Sequence, residues 1–473
     1  MNGRGTVIDA FHLPGLEHPR TTSWSYGAGA GAFDVRTPRL SPAELRRQVL
    51  AVAEARDRHL AGRPVAQIVE VVDSVAARLL DSADPLRVAA ELALPAVTSY
   101  SPQMIRLVLD RMAADWRAPR LRELLRREFG DPRVLDGFRP ADRGAGLRAA
   151  FGPRLAVHVF SGNVPGVAVT SVIRSLLVKA GTIGKAALGE PLLAALFARG
   201  IAEADAELGA CLAVTYWPGG DEEMEHAALE VADAVVVYGG AEAVASIRAR
   251  TPPAARFLGY GPKVSFGVLA REALSADGAR EAARAAALDA STFDQQGCVS
   301  PHLFYAEEGG DVSAEGWARL LAEEMAAVEA ELPRGTLAPG ESSAIRQLRA
   351  EAEFLEAGTS GVRLHASADG TAWTVVYDPR PGFAASCLNR LVRVKPVASL
   401  DEVPPLVEPF RAVLQTVGVA GPAGRLREVE TRLARLGASR FARIGEMAWP
   451  PPWWRHDGLA PLRELVRWAE VEE

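Results

Sequence analysis

Cys298 stands in the run Thr292-Phe293-Asp294-Gln295-Gln296-Gly297-Cys298-Val299-Ser300-Pro301, a small, polar, turn-forming setting. Such a setting suits a thiol that a substrate must reach, whereas a packing cysteine normally sits inside an apolar strand or helix. The nucleophile is the thiolate, and a free thiol titrates near pH ~8.5, so a catalytic site has to favour the anion. A helix-like stretch at 282–290 and the glycine at 297 would place the sulfur at the end of an element. Gln-Gly-Cys alone is a weak motif. Cys211 and Cys387 lie in apolar runs and read as packing residues. His302 could tune the thiolate but reads first as a rim histidine. His158 falls in a core strand, and no His/Cys/Asp cluster has metal-ligand spacing.

A chain of 473 residues exceeds one ordinary core, so two or three domains are expected. A hydrophobic fraction of 48% and a charged fraction of 24% are those of a soluble globular protein. The net charge of -6, with no basic block, argues against nucleic-acid binding. Three cysteines exclude a disulfide framework and fit a reducing cytoplasm. The first sixteen residues show no charged region followed by an apolar core, so no secretory leader is expected. The uncharged stretch 155–173 contains Ser161, Gly162, Asn163, Pro165 and Gly166, which suits a buried strand-loop-helix better than a membrane span. Of 53 basic residues only four are lysines, at 179, 185, 263 and 395, so a compact ammonium is a candidate requirement at these places.

Residues 1–40 carry Gly27, Gly29, Gly31, Pro14, Pro19 and Pro38 and read as an irregular lead. From 41 to 150 a helical layer is expected, opened by the capping-box signature Ser41-Pro42-Ala43-Glu44 and resumed at Ser101-Pro102. Between 151 and 270, β-rich runs at 155–160, 182–185, 211–217, 234–238, 256–260 and 264–269 alternate with helical segments. That alternation predicts a doubly wound, mostly parallel sheet. Such sheets bind ligands at the carboxyl ends of their strands. Ser161-Gly162-Asn163, Trp217-Pro218-Gly219-Gly220 and Gly239-Gly240 fall at strand-to-helix turns, and no GxGxxG run occurs. A second α/β unit over 271–440 carries Cys298. The tail 441–473 holds the aromatic patch Trp449-Pro450-Pro451-Pro452-Trp453-Trp454-Arg455-His456, then an expected amphipathic helix through Leu462, Leu465, Val466 and Trp468.

The order and spacing of Ser161-Gly162-Asn163-Val164-Pro165, Lys185, Gly239-Gly240, Gly259-Tyr260-Gly261-Pro262-Lys263 and Gln296-Gly297-Cys298 resemble the aldehyde dehydrogenase superfamily. Within it the chain is similar to the LuxC-type fatty acyl reductases, from about residue 65 to the C-terminus, including Tyr100-Ser101-Pro102-Gln103-Met104-Ile105 and His456-Asp457-Gly458. The resemblance implies an aldehyde dehydrogenase-like α/β fold: a doubly wound cofactor domain, an α/β catalytic domain and an N-terminal helical layer. It implies Cys298 as the nucleophile that carries the acyl group. Asn163 matches the asparagine whose amide serves the oxyanion hole, although a loop asparagine bonding its own backbone is the plain alternative. Ser161, Lys185, Gly220, Gly239 and Gly240 are the implied cofactor contacts. Lys185 would meet the adenosine ribose and its 2′-phosphate, and the glycine pair would let a helix N-terminus approach the pyrophosphate. NADPH is the implied cofactor, with NADH as the alternative.

Two departures from the superfamily bear on the reaction. Its oxidising members keep a glutamate in a Glu-Leu-Gly-Gly segment to activate water. Here Phe257 precedes Leu258-Gly259, and no acid occurs from Ala254 to Ala270. An acyl thioester without a general base should resist water and persist for hydride or thiol attack. Second, no acid lies between Asp378 and Asp401, so the glutamate that holds the nicotinamide ribose has no counterpart. The expected activity is NADPH-dependent reduction of an acyl thioester to an aldehyde, with acyl-CoA or an acyl-carrier or acyl-enzyme donor as partner. A homo-oligomer is expected. The alternatives are an aldehyde-oxidising dehydrogenase with a relocated base and a non-catalytic member that binds a carrier or partner protein.

Overall fold

The computed structural model describes residues 6–27, 32–141 and 146–472. These fall into two compact units, Met1–Thr98 with Ile105–Gly261 and Pro451–Glu473, and Ser99–Met104 with Pro262–Pro450.

In the first unit every residue of the strands Leu155–Val159, Gly181–Lys185, Leu212–Thr215 and Ala234–Tyr238 is buried. A strand covered on both faces loses the apolar/polar alternation and becomes a continuous apolar run. With Arg256–Tyr260 they form a parallel five-stranded sheet in the order 256–260, 234–238, 155–159, 181–185, 212–215. Leu155, Val157, Ile183 and Val235 pack against Leu45, Val49 and Val52 of the helix Pro42–Ala55. Each such side chain contributes about 1.5–3 kcal/mol by leaving water. The capping box forms as expected: Glu44 N–H donates to Ser41 Oγ (3.3 Å), and Ser41 N–H donates to Glu44 Oε2 (2.7 Å).

Two expectations for this unit are corrected. The lead is not irregular: Thr6–Asp9, Thr21–Tyr26 and Phe33–Pro38 form a three-stranded sheet. Phe33, Val35 and Thr37 face inward at a two-residue period, while Pro14, Pro19 and Gly27 occupy connections; Gly29 and Gly31 lie outside the described residues. The C-terminal segment is not a helix. After a short turn at Arg463–Leu465 it becomes the strand Arg467–Val471, antiparallel to Leu147–Phe151. The strand's backbone groups then find partners on a neighbour that a lone helical turn would not offer.

The second unit is built on a seven-stranded sheet ordered Arg363–Ala366, Thr374–Tyr377, Leu391–Val397, Pro301–Glu307, Val264–Leu269, Leu414–Ala420, Arg440–Arg443. All neighbours are parallel except the first pair. The strand Val264–Leu269, expected with the first unit, pairs here with 301–307 and 414–420. The sheets therefore change over ahead of residue 264 rather than at 270. Gly267 marks a close approach, since a Cβ there would lie 2.1 Å from a ring carbon of Phe304. No helix among the described residues is long and apolar enough to cross a membrane.

Candidate active site

Cys298 belongs to the second unit, half-buried on the turn between the helix Gly278–Ser291 and the strand Pro301–Glu307. The helix ends where Thr292 Oγ1 bonds back to the Leu288 carbonyl (2.7 Å). Phe293, Asp294 and Gln295 then take left-handed backbone angles, φ 55°, 48° and 64°. Facing them, Leu388, Asn389 and Arg390 do the same at φ 67°, 58° and 64°. Each such residue costs on the order of 1–2 kcal/mol, so six of them persist only if side chains hold the segments together.

Three successive residues supply those links. Arg390 Nε donates to Asp294 Oδ1 (2.9 Å), Gln295 exchanges bonds with both Leu391 N (3.0 Å) and Leu391 O (2.9 Å), and Gln296 Nε2 donates to Asn389 Oδ1 (2.9 Å). Gln295 Nε2 also reaches the Pro301 carbonyl (2.7 Å), bracketing the cysteine turn from its far side. Within the turn, Ser300 N–H donates to the Gly297 carbonyl (3.0 Å), and Ser265 Oγ donates to the Cys298 carbonyl (2.7 Å). The cysteine backbone is thus fixed at several points.

The nearby acids are engaged elsewhere. Burial raises the pKa of Asp294, opposed mainly by the Arg390 guanidinium and the Gly335 N–H. Asp289 accepts from Gly445 N (2.5 Å) and Met447 N (3.0 Å), and burial pushes it up to about 7. His302 does not supply a cation. Its Nδ1 accepts from Ser386 N–H (3.1 Å), and burial pushes the ring down to about 4. His158 is a core histidine, its Nδ1 2.8 Å from Ser171 Oγ and its pKa lowered to about 3 by burial. Cys211 is buried as expected, whereas Cys387 is half-buried in an irregular segment rather than packed in an apolar run. Among the described residues no group of His, Cys, Asp and Glu could hold a metal ion.

The first unit gathers the other singled-out residues at one edge of its sheet. Ser161 and exposed Asn163 follow the strand Leu155–Val159, and Lys185 ends Gly181–Lys185. Gly220 follows Leu212–Thr215, and Gly239 and Gly240 follow Ala234–Tyr238. These are carboxyl ends, where a parallel sheet offers helix N-termini to ligands. Gly240 caps the helix Ala241–Arg250 without any side-chain bond to its first turn, and the space beside Gly219, Gly220 and Gly240 is open.

The lysines separate by environment. Lys179 pairs with Asp136 (2.7 Å) and Lys395 with Asp378 (3.1 Å), both buried structural contacts. Lys185 is 9% exposed and makes no ion pair among the described residues; its ammonium lies 5.5 Å from the Trp217 ring centre. Burial lowers its pKa against the pull of Glu225. A desolvated cation beside open glycine turns fits the phosphate and ribose of a dinucleotide. A surface cavity of about 460 Å³, lined by Arg319, Glu323, His365 and Trp373 among others, contains none of these groups.

The family model described as "Acyl-CoA reductase (LuxC)" matches residues 60–468. A long-chain acyl-protein thioester reductase of Aliivibrio fischeri is 29% identical over 385 residues, covering 79% of this chain and 75% of the relative. The protein of the same description from Vibrio harveyi is 27% identical over 383 residues, covering 79% and 75%. Among solved structures, aldehyde dehydrogenase 21 of Physcomitrella patens superposes with a TM-score of 0.74 at 13% identity, covering 99% of this chain and 98% of its own. A variant of aldehyde dehydrogenase C from Pseudomonas syringae, complexed with NAD+ and octanal, gives 0.71 at 15% identity, covering 93% and 90%. At such identities the structural likeness establishes the aldehyde dehydrogenase fold, and the family match carries the rest: this chain belongs to the acyl-CoA reductase (LuxC) family.

Proposed function

We propose that the protein reduces an acyl thioester, carried on CoA or on a protein, to the aldehyde through an acyl group held on Cys298. The observation that carries this reading is the turn itself. It offers a half-buried thiol on a rigid backbone, while both carboxylates leading up to it, Asp289 and Asp294, are tied to backbone N–H groups or arginine. Neither carboxylate is free to serve as general base to an acyl group there, and the stretch from Ala254 to Ala270 holds no acid.

In the first step the Cys298 sulfur attacks the thioester carbon and the donor thiolate leaves. Bound NADPH would supply the hydride equivalent for the acyl carbon, and Cys298 would release the aldehyde by leaving as its thiolate. Asn163 contributes an amide N–H to the developing oxyanion. Ser161, Gly220, Gly239 and Gly240 accommodate the cofactor's phosphates, and Lys185 meets its adenosine ribose and 2′-phosphate. A cytoplasmic homo-oligomer acting on acyl-protein or acyl-CoA donors completes the reading. The names of the relatives support the acyl-protein donor.

The test is NADPH oxidation across a panel of acyl-CoA lengths, with wild type beside Cys298→Ala. Cofactor oxidation with matching aldehyde is expected for wild type alone. Full activity in the alanine variant would overturn the mechanism. Asn163→Ala should still acylate but lose on the order of 10²–10³ in rate, the cost of one oxyanion donor.

A further inference from the structure

We infer that Arg440 is the fixed counter-cation of the Cys298 thiolate, a positioning residue held in register by the buried carboxylate of Asp289 through the turn at 445–447. The inference rests on the reading of Cys298 as the nucleophile.

Backbone register brings the two residues into one neighbourhood. Arg440 opens the last strand of the seven-stranded sheet and lies opposite Thr416. Thr416 N–H donates to Ser265 Oγ (3.1 Å), and the same hydroxyl donates to the Cys298 carbonyl (2.7 Å). One serine thus joins the strand beside Arg440 to the cysteine turn.

The guanidinium is aimed by backbone. Nη1 donates to the Met447 carbonyl (2.6 Å) and Nη2 to the Glu446 carbonyl (2.8 Å). Those two carbonyls belong to the turn whose Gly445 and Met447 N–H groups are clamped on Asp289, which is 1% exposed near the end of the helix leading to Cys298. Gly445 is required in this turn: its φ is +98°, and a Cβ would lie 3.1 Å from that of Ala285 on the same helix. Asp289, the turn and Arg440 therefore move with the helix that presents the cysteine. A lysine could not span two successive carbonyls with a planar fork while keeping a charge directed elsewhere.

Carbonyls orient a guanidinium but do not neutralise it. Burial pulls the Arg440 pKa down to about 10, and three groups act against that pull when ionised: Asp289 on the helix, Cys298 on its turn and exposed Glu446 on the loop. Arg440 stays charged at neutral pH, and its attraction to Cys298 is available only when the sulfur is anionic. His302 is neutral and offers no competing cation.

The test follows the pH dependence of Cys298 alkylation by iodoacetamide in the full-length protein, read by mass spectrometry of its peptide with Cys387 as internal comparator. An opposite charge nearby shifts a titrating group by one to three units, so Arg440→Gln should raise the midpoint by about one unit and slow alkylation about tenfold at neutral pH. Arg440→Lys should recover part of the shift, and Cys387 should stay unmoved. A Gln profile that superimposes on wild type overturns the inference. Should Gln prevent folding, wild type alone decides: its Cys298 midpoint must lie below the free-thiol value near ~8.5, and a midpoint at or above it contradicts the assignment. Exposure of wild type to acyl-CoA separates the two readings. Absence of an adduct on Cys298 refutes the nucleophile, whereas an adduct with identical pH dependence in both proteins refutes only the role of Arg440.

Discussion

Arg390 is fully buried, yet it donates to Asp294, to Glu329 (2.6 Å) and to the Leu332 carbonyl (2.9 Å). Removing it strands a buried carboxylate beside three residues in left-handed conformations. Arg390→Met should therefore cost about 3–5 kcal/mol in urea unfolding, and a loss below ~1 kcal/mol would show that the ladder does not hold the cysteine loop. Burial in the folded protein makes His302 harder to protonate than an ordinary exposed histidine. Its folded pKa of about 4 lies below the unfolded value near 6.5, so the unfolded chain takes up the proton first. Stability from this group is complete above pH 6.5 and is lost as pH falls toward 4, about 2 kcal/mol of it between pH 7 and pH 5. Wild type compared with His302→Gln at those two pH values should show that difference, and parallel losses would refute it. Lys185→Met should raise the KM for NADPH about tenfold or more, the worth of one charge-assisted contact, while leaving acylation of Cys298 intact. An unchanged KM would remove Lys185 from the cofactor site.

Elements were legible wherever one local rule acted alone. The capping box at Ser41, the helix from Pro102 and the strands of the five-stranded sheet follow from periodicity and end signals, because burial on both faces of a parallel sheet leaves long apolar runs. The lead escaped because Pro14, Pro19 and Gly27 punctuate it, although they only occupy connections of a local three-stranded sheet. The tail escaped because its strand is short and its pairing partner lies far off in sequence, Trp468 opposite Ala150. Distance in sequence also hid the support of the candidate site. Cys298, Asp294 and Gln295 stand in one run, but Arg390 reaches the loop from the bend before Leu391 and Ser265 from a neighbouring strand, and no spacing rule announces them. Trp468 tests the tail's contribution: half-buried, it packs against Phe129 with ring centres 5.9 Å apart, so Trp468→Ala should cost about 1–3 kcal/mol in urea unfolding. No measurable loss would mean that this strand is dispensable.

For the molecule as a whole, the fold is that of aldehyde dehydrogenases while the family is one of acyl-CoA reductases, and the same scaffold serves oxidation or reduction according to what becomes of the acyl group. What separates the two outcomes is whether water is activated beside the acylated cysteine. The decisive measurement is the fate of the acyl group after mixing the full chain with a radiolabelled long-chain acyl-CoA and no nicotinamide cofactor. Label should stay on Cys298 over many turnover times and leave as aldehyde only when NADPH is added. Steady release of free acid without NADPH, or label on any residue other than Cys298, would contradict the account.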